Sequence, residues 1–141
     1  IITGFHMARA IALGADGCNS ARAMMLSIGC IQALQCNSNT CPVGVATQNA
    51  SLVKGLVVDD KAPRANKYHE ATIRSFLELV AAAGLNDPSE LTRNHISKRV
   101  GLYNVQTYEE IYPYIESGSL LDINKIPESY KRFFHLTRIM K

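Results

Sequence analysis

The sequence lacks a long hydrophobic run, and its charges are nearly balanced. No apolar run approaches the ~20 residues that a membrane span needs, and the N-terminus lacks the charged-then-apolar layout of a signal peptide. Lys and Arg total 15 against 12 Asp and Glu, a net charge of +3, and the basic residues are scattered. We therefore expect a cytoplasmic protein with no membrane segment and no nucleic-acid partner.

An initiator methionine is also missing, because the chain opens at Ile1-Ile-Thr-Gly4 as though in the middle of an element. This opening predicts a fragment of a longer protein. The composition, 47% hydrophobic and 19% charged, is typical of a folded globular chain with a core and not of a disordered one. No internal repeat or low-complexity tract is present.

The most informative feature that is present is a cluster of cysteines. Cys30, Cys36 and Cys41 fall within twelve residues at the spacing C-x5-C-x4-C, and Pro42 and Gly44 then predict a turn. Thiolates that converge from a loop hold soft metals and iron–sulfur clusters, because sulfur donates well to zinc and iron. The segment therefore predicts a metal or cluster site.

Three readings of these cysteines stay open on the residues alone. A closed zinc site needs four ligands, so it would have to borrow Cys18 or the distant His69. A cluster with one iron per cysteine, the three-iron type, fits the count better. A disulfide framework requires an even number of partners and an oxidising compartment, and neither is indicated.

Three motifs in this region carry a resemblance to a known family. They are Gly14-Ala-Asp-Gly-Cys-Asn-Ser-Ala-Arg22, Gly29-Cys-Ile-Gln32 and Cys41-Pro-Val-Gly-Val-Ala-Thr-Gln48. Together they resemble the C-terminal part of the FMN-binding domain of glutamate synthases, and most closely the shorter single-subunit FMN-binding glutamate synthase family. The resemblance implies that Cys30, Cys36 and Cys41 are the ligands of a 3Fe-4S cluster beside the flavin. Residues 54–91 also resemble the short family, through Leu79-Val-Ala-Ala-Ala-Gly-Leu85 and Pro88-Ser-Glu-Leu91.

The order of elements agrees with an α/β fold. Helical spacing over Phe5 to Leu13, a short strand over Ala15 to Asn19 and a second helix over Ala21 to Ile28 give a β–α–β–α rhythm. The resemblance implies that these are the C-terminal βα units of a TIM (β/α)8 barrel, with Gly4 after strand seven. The six N-terminal βα units would then lie outside this chain.

The loops after strands seven and eight of such barrels hold phosphate, because backbone N–H groups at a helix start favour an anion. The resemblance implies that Gly4, Ser20, Ala21 and Arg22 contact the FMN phosphate or its neighbourhood. On spacing alone, Gly4 is better explained as a turn residue and Arg22 as a surface cation, and the adjacent cysteine loop is what favours the phosphate contact.

The rest of the chain reads as a helical C-terminal extension. We expect residues 1–48 to be the end of the barrel with the cysteine loop, and residues 49–141 to be this extension. Helices are predicted over Arg64 to Ala83, from the Asp87 cap to about Val100, and over Pro127 to Met140, with a short turn opened by Thr107 and Glu110. The apolar face of the first of these is expected to consist of Tyr68, Thr72, Phe76, Leu79, Val80 and Ala83.

The resemblance implies an oxidoreductase. Electrons from ferredoxin or an NADPH-linked reductase would pass through the cluster to FMN, and hydride would reduce the imine formed from 2-oxoglutarate and ammonia or glutamine-derived nitrogen, giving L-glutamate. No catalytic residue is assigned, because the residues that recognise the substrate should lie outside this chain. This chain alone should therefore be inactive.

Two alternatives stay open: the same cofactors with another substrate, and a small structural zinc module. Cys18 is expected to be a small buried hydrophobe, and His6, His69, His95 and His135 receive no role.

Overall fold

The computed structural model describes the backbone of residues 1–138 and the side chains of residues 1–133. In this part of the chain the helices are α1 (Gly4–Ala12), α2 (Arg22–Ser27), α3 (Ala50–Val53), α4 (Val58–Ala82), α5 (Tyr108–Ile111) and α6 (Glu128–Arg138). The strands are β1 (Ser97–Arg99) and β2 (Val105–Thr107), and three 3-10 turns lie at Pro88–Glu90, Arg93–His95 and Ser119–Leu121. The chain divides into two compact units, Ile1–Ile96 and the residues from Ser97 onward.

The first unit is built on the packing of α1 against α4. Gly4, Ala8 and Ala12 are the buried residues of α1, so its inner face carries almost no side-chain bulk. A Cβ atom at Gly4 would lie 2.5 Å from the backbone N of Phe76, which means that the two helix backbones approach each other closely. The Thr3 hydroxyl begins α1 by accepting from the His6 N–H at 3.3 Å.

The long helix α4 was predicted, but its start and its buried face differ from the expectation. It begins at Val58, six residues before the predicted start, and continues through Pro63. Asp59 and Asp60 in its first turn favour this earlier start, since carboxylates stabilise a helix N-terminus. The stripe of α4 that faces inward consists of the buried Phe76 and Val80 and the half-buried Tyr68 and Thr72. The predicted members Leu79, which is 37% exposed, and Ala83 are exposed.

The expected strand over Ala15 to Asn19 is not formed in the described structure. The backbone of Ile1 nevertheless lies beside this segment, with its N 3.4 Å from the Asn19 carbonyl oxygen and its own carbonyl 2.9 Å from the Ser20 hydroxyl. A strand requires a ladder of paired backbone groups, and two contacts do not make one. The (β/α)8 barrel stays a prediction.

The predicted helix from Pro88 to Val100 is wrong. Asp87 does cap the turn Pro88–Glu90, and Glu90 completes the expected capping box, but the chain turns again at Arg93–His95 and then becomes strand β1. β1 pairs antiparallel with β2, so that Ser97 lies opposite Thr107. Thr92, Asn94, His95 and Ser97 are weak helix formers, and strand pairing replaces the helical hydrogen bonds.

The second unit contains the β1–β2 hairpin and two helices. The predicted turn at Thr107 and Glu110 is confirmed as the capping box that begins α5. The Thr107 backbone N–H and then its hydroxyl hold the pKa of Glu110 below its usual value. Helix α6 covers most of the predicted terminal helix, whereas Ile139, Met140 and Lys141 lie outside the described residues.

The structure divides after Ile96, and the expected boundary after residue 48 stays a prediction. Helix α4 packs on both α1 and α2, so the residues from 49 to 96 join the segment that carries the cysteines. No helix in the described residues is both long enough and apolar enough to cross a bilayer.

We predict that the α1–α4 contact dominates the stability of the first unit. Phe76 is 5% exposed and Leu77, next to it on α4, is 48% exposed. Phe76→Ala should therefore lower the free energy of unfolding by about 3 kcal/mol through lost burial and a residual cavity, while Leu77→Ala should change it by less than about 1 kcal/mol. Urea unfolding of both variants measures this difference. Equal losses in the two variants would contradict the observed burial.

Candidate cofactor and cluster site

A pocket of about 250 Å³ joins the start of α2 to the cysteine loop. Its lining combines two residues predicted to meet the flavin phosphate with two of the three clustered cysteines. The lining residues are Ala21, Arg22, Met25, Cys30, Gln32, Leu34 and Cys36. Residues predicted to contact a phosphate and residues predicted to hold a cluster thus line one pocket.

The end of α2 explains how Cys30 comes to lie beside the start of the same helix. Gly29 takes a left-handed conformation with φ 101°, and the Cys30 N–H donates to the Met25 carbonyl at 3.0 Å. This bond across the helix end is typical of a glycine-terminated helix and turns the chain back along α2. A six-residue helix followed by a glycine therefore positions Cys30 at the pocket.

The loop after Cys30 is held in an irregular backbone. Gln32, Leu34 and Asn39 all have positive φ angles, between 58° and 60°. The Gln32 N–H donates to the Cys30 sulfur at 3.4 Å, while Cys36 is exposed. The hydrogen bond from Gln32 thus holds the Cys30 sulfur against the start of this loop.

Cys41 lies in a different environment, since it is buried, with 7% of its surface exposed. Backbone hydrogen bonds, first from Ala46 and then from Val43, lower the pKa of the Cys41 thiol below its usual value, and burial opposes them. Weaker backbone bonds from Val45 and Gly44 act in the same direction. The turn that follows Cys41 thus directs successive N–H groups at its sulfur.

Gly44 fixes that turn against α3. Its φ is +78°, and an added Cβ would collide with the backbone carbonyl oxygen of Leu52 and lie 3.0 Å from the Leu56 N. Only glycine has both the conformation and the space that this contact requires. The predicted turn at Pro42 and Gly44 is confirmed, and its reason is the contact with α3.

A second set of contacts closes the loop around Cys41. The Asn39 Oδ1 atom accepts from the Gln48 N–H at 2.6 Å, and the Thr47 hydroxyl lies 2.6 Å from the Asn39 carbonyl oxygen. Thr47 in turn accepts from the Asn49 N–H at 3.1 Å. These bonds connect Asn39 to residues 47–49, which follow the turn after Cys41.

The remaining predicted site residues do not line the pocket. Gly4 is buried against the backbone of α4, and the Ser20 hydroxyl donates to the Ile1 carbonyl at 2.9 Å. Cys41 also lies outside the lining of this pocket. Among the described side chains, no group of three or more His, Cys, Asp or Glu is placed to hold a metal ion, so the three thiols are not gathered into one ligand set. Their chemistry nevertheless suits iron, because two of the sulfurs accept backbone N–H groups.

The two residues that a zinc site would have to borrow lie elsewhere. Cys18 and His69 line a separate pocket of about 130 Å³, together with Met7 and Met24. Neither residue belongs to the lining shared by Cys30 and Cys36. This separation weighs against a four-ligand zinc site built from Cys18 or His69.

Sequence reasoning missed the residues that act through their backbones. Backbone N–H groups are the same in almost every residue type, so the sequence does not reveal which of them face a cysteine sulfur. This applies to the N–H groups of Gln32 and of residues 43–46, and only the turn predicted at Pro42 and Gly44 indicated the second set. Asn39 and Thr47 were also missed. An asparagine just before the last cysteine was the available signal, because asparagine tolerates a positive φ.

Comparisons with known proteins place these motifs in a family. The family model described as "Conserved region in glutamate synthase" matches residues 1–86. The glutamate synthase large subunit-like protein YerD of Bacillus subtilis is 44% identical over 99 residues, which cover 70% of this chain and 19% of that protein. The archaeal glutamate synthase [NADPH] of Methanocaldococcus jannaschii is 38% identical over 95 residues, covering 67% of this chain and 19% of that protein.

A third relative is also named as a glutamate synthase and is matched over a similar length. The archaeal-type glutamate synthase [NADPH] of Thermotoga maritima is 32% identical over 99 residues, covering 70% of this chain and 20% of that protein. The chain therefore spans about a fifth of the length of these relatives. No solved structure shows a significant match. Because the conserved region covers residues 1–86 of 141, including all the clustered cysteines, this chain belongs to the glutamate synthase family.

Proposed function

We propose that this chain is the flavin-proximal and cluster-binding segment of a longer glutamate synthase-type oxidoreductase. The observation that carries the proposal is the pocket in which Ala21 and Arg22 meet Cys30 and Cys36. The family match over residues 1–86 supports it, and so do the names of longer relatives, of which the matched segment covers about a fifth. The activity belongs to the whole protein, of which this chain supplies one site.

Cys30, Cys36 and Cys41 would hold the 3Fe-4S cluster. Cys30 and Cys41 offer sulfurs that are already hydrogen-bonded, and the exposed Cys36 lies between them in a loop of irregular backbone. Since the three thiols are not gathered in this structure, the proposal requires the loop to close when iron binds. Backbone N–H groups on two ligands would offset negative charge on the sulfurs and so help to set the reduction potential.

Arg22 and Ala21 would bind the FMN phosphate. Ala21 precedes α2 without a side-chain cap, which leaves the first N–H groups of the helix free of competition from a capping side chain. Arg22 is exposed and lines the pocket, so its guanidinium can form two charge-assisted hydrogen bonds with a phosphate. Gly4 and Ser20 are weaker candidates, because Gly4 packs on α4 and the Ser20 hydroxyl is already engaged.

When bound, FMN would supply hydride transfer to the imine of 2-oxoglutarate, made with ammonia or glutamine-derived nitrogen, and the cluster would supply one-electron transfer from ferredoxin or an NADPH-linked reductase. The residues of this chain would act by position and charge. Arg22 would neutralise phosphate, and the cysteine loop would keep iron beside the pocket, close to the flavin. The names of the Methanocaldococcus and Thermotoga relatives include NADPH, which supports a pyridine-nucleotide reductant.

For the cluster, we predict that the protein purified without oxygen contains about three irons per chain, following the three thiolates. Cys36→Ser should remove most of this iron and leave the helical circular-dichroism signal near that of the unsubstituted protein, because Cys36 is exposed. Cys18→Ser makes the same chemical change in the separate pocket and should keep the iron. Iron analysis with acid-labile sulfide measures the effect. Full iron in Cys36→Ser, or zinc as the native metal, would refute the assignment.

For the flavin, we predict that Arg22→Ala in the full-length protein weakens FMN binding about tenfold, equivalent to ~1.4 kcal/mol, by removing charge-assisted hydrogen bonds. Its iron content should not change. Arg9→Ala removes the same charge from an exposed position on α1 and serves as the control. Fluorescence titration with FMN gives both affinities. If Arg22→Ala and Arg9→Ala bound FMN equally well, Arg22 would be only a surface charge.

A further inference from the structure

The β1–β2 hairpin of the second unit ends in a turn that carries two large, uncovered side chains. Residues 100–104 form this turn, and the Asn104 carbonyl oxygen closes it by accepting from the Val100 N–H at 3.0 Å. Leu102 is 76% exposed and Tyr103 is 95% exposed. The hairpin tip, defined as residues 100–104, therefore presents apolar surface to its surroundings.

Two cations flank the hairpin tip. Lys98 and Arg99 are neighbours in β1, and successive residues of a strand point to opposite faces, so one cation lies on each face of the hairpin. Both side chains are exposed, and neither forms an ion pair with another described residue. The sequence has no Asp or Glu between Glu90 and Glu109. The hairpin itself therefore carries positive charge only.

The spacing between the cations and the tip fits the outer layer of a lipid bilayer. Arg99 precedes Leu102 by three residues, and a strand advances about 3.3 Å per residue, so at most ~10 Å separates the two positions along the chain. Interfacial amphipathic helices bury their apolar groups about 5–10 Å into the boundary between headgroups and acyl chains. With Leu102 at that depth, the cations lie at the level of the lipid phosphates.

A lipid surface suits the hairpin tip better than a protein partner. Tyrosine is enriched where membranes meet water, because its ring is apolar and its hydroxyl is polar. A protein that recognises a hairpin commonly adds a strand along its edge. Here β1 and β2 have three residues each, so either edge offers few backbone groups to an added strand.

We propose that the hairpin tip inserts into the headgroup region of an anionic lipid membrane, with Lys98 and Arg99 against the lipid phosphates and with Leu102 and Tyr103 below them. Two cations and two apolar side chains make this association weak and reversible. The hairpin lies outside residues 1–86, which the family model matches, and the proposal depends on neither flavin nor iron.

The test measures co-sedimentation of the full-length protein with vesicles. Phosphatidylglycerol and phosphatidylcholine in equal parts supply an anionic surface, and phosphatidylcholine alone supplies a neutral one. Leu102→Ser removes an apolar side chain from the tip, and Leu121→Ser makes the same change at a leucine that is 91% exposed outside the hairpin. Lys98→Gln and Arg99→Gln each remove one charge, and Lys125→Gln is their control at an exposed position outside the hairpin.

The unsubstituted protein should bind the anionic vesicles about tenfold or more tightly than the neutral ones. Each charge substitution in β1 should weaken this binding about fivefold, equivalent to ~1 kcal/mol per cation. Leu102→Ser should weaken it about tenfold through lost apolar burial. Leu121→Ser and Lys125→Gln should bind as the unsubstituted protein does. Binding should also fall in ~1 M salt, because the Debye length is then only about 3 Å.

Three results would overturn the proposal. Absence of binding to either kind of vesicle would mean that a protein surface covers the tip, and equal binding to both kinds would mean that charge plays no part. Equal losses in Leu102→Ser and Leu121→Ser would show that adhesion is not specific to the hairpin. Tyr103→Ser removes apolar surface from the same tip and decides the question if circular dichroism shows that Leu102→Ser folds poorly. A protein without iron or FMN would refute the proposed function and leave this vesicle test unaffected.

Discussion

The first unit depends on the close approach of two helix backbones. Gly4 lies against the backbone of α4 at Phe76, and the small residues Ala8 and Ala12 continue the contact along α1. Because α4 also packs on α2, the same helix fixes the element that begins at Arg22. The pocket beside α2 therefore takes its position from a contact that contains none of its own residues.

Much of the helical structure could be predicted, because its signals are local. The Thr107 and Glu110 capping box and the stripe of α4 that includes Phe76 follow directly from residue spacing. The segment after Glu90 could not be predicted in the same way. Its capping box is real, yet pairing between Ser97 and Thr107, ten residues apart, replaces the helix that the cap suggested. Non-local pairing of this kind overrides local preference and is not visible in spacing.

The candidate site also has one part that could be predicted from the sequence and one part that could not. Cys30 and Cys36 stand out by residue type and Arg22 by the family resemblance, and these three residues line one pocket. The groups that act on the Cys41 sulfur could not be predicted, because every residue type carries the same backbone N–H. Gly4 shows a different difficulty, because a single residue can have two explanations. The sequence suggested a contact with phosphate, whereas the structure shows Gly4 packed against the backbone of α4.

The bonds from Asn39 to Thr47 and Gln48 also bear on the order in which the protein acquires its structure. They span fewer than ten residues, so closing this segment costs little chain entropy and can occur within about 100 ns. Most of the relatives' length lies outside the matched region, and contacts between distant parts of a chain form more slowly than local ones. The turn around Cys41 can therefore form during synthesis, before any long-range contact, so that the conformation of this segment does not depend on the completion of the rest of the protein.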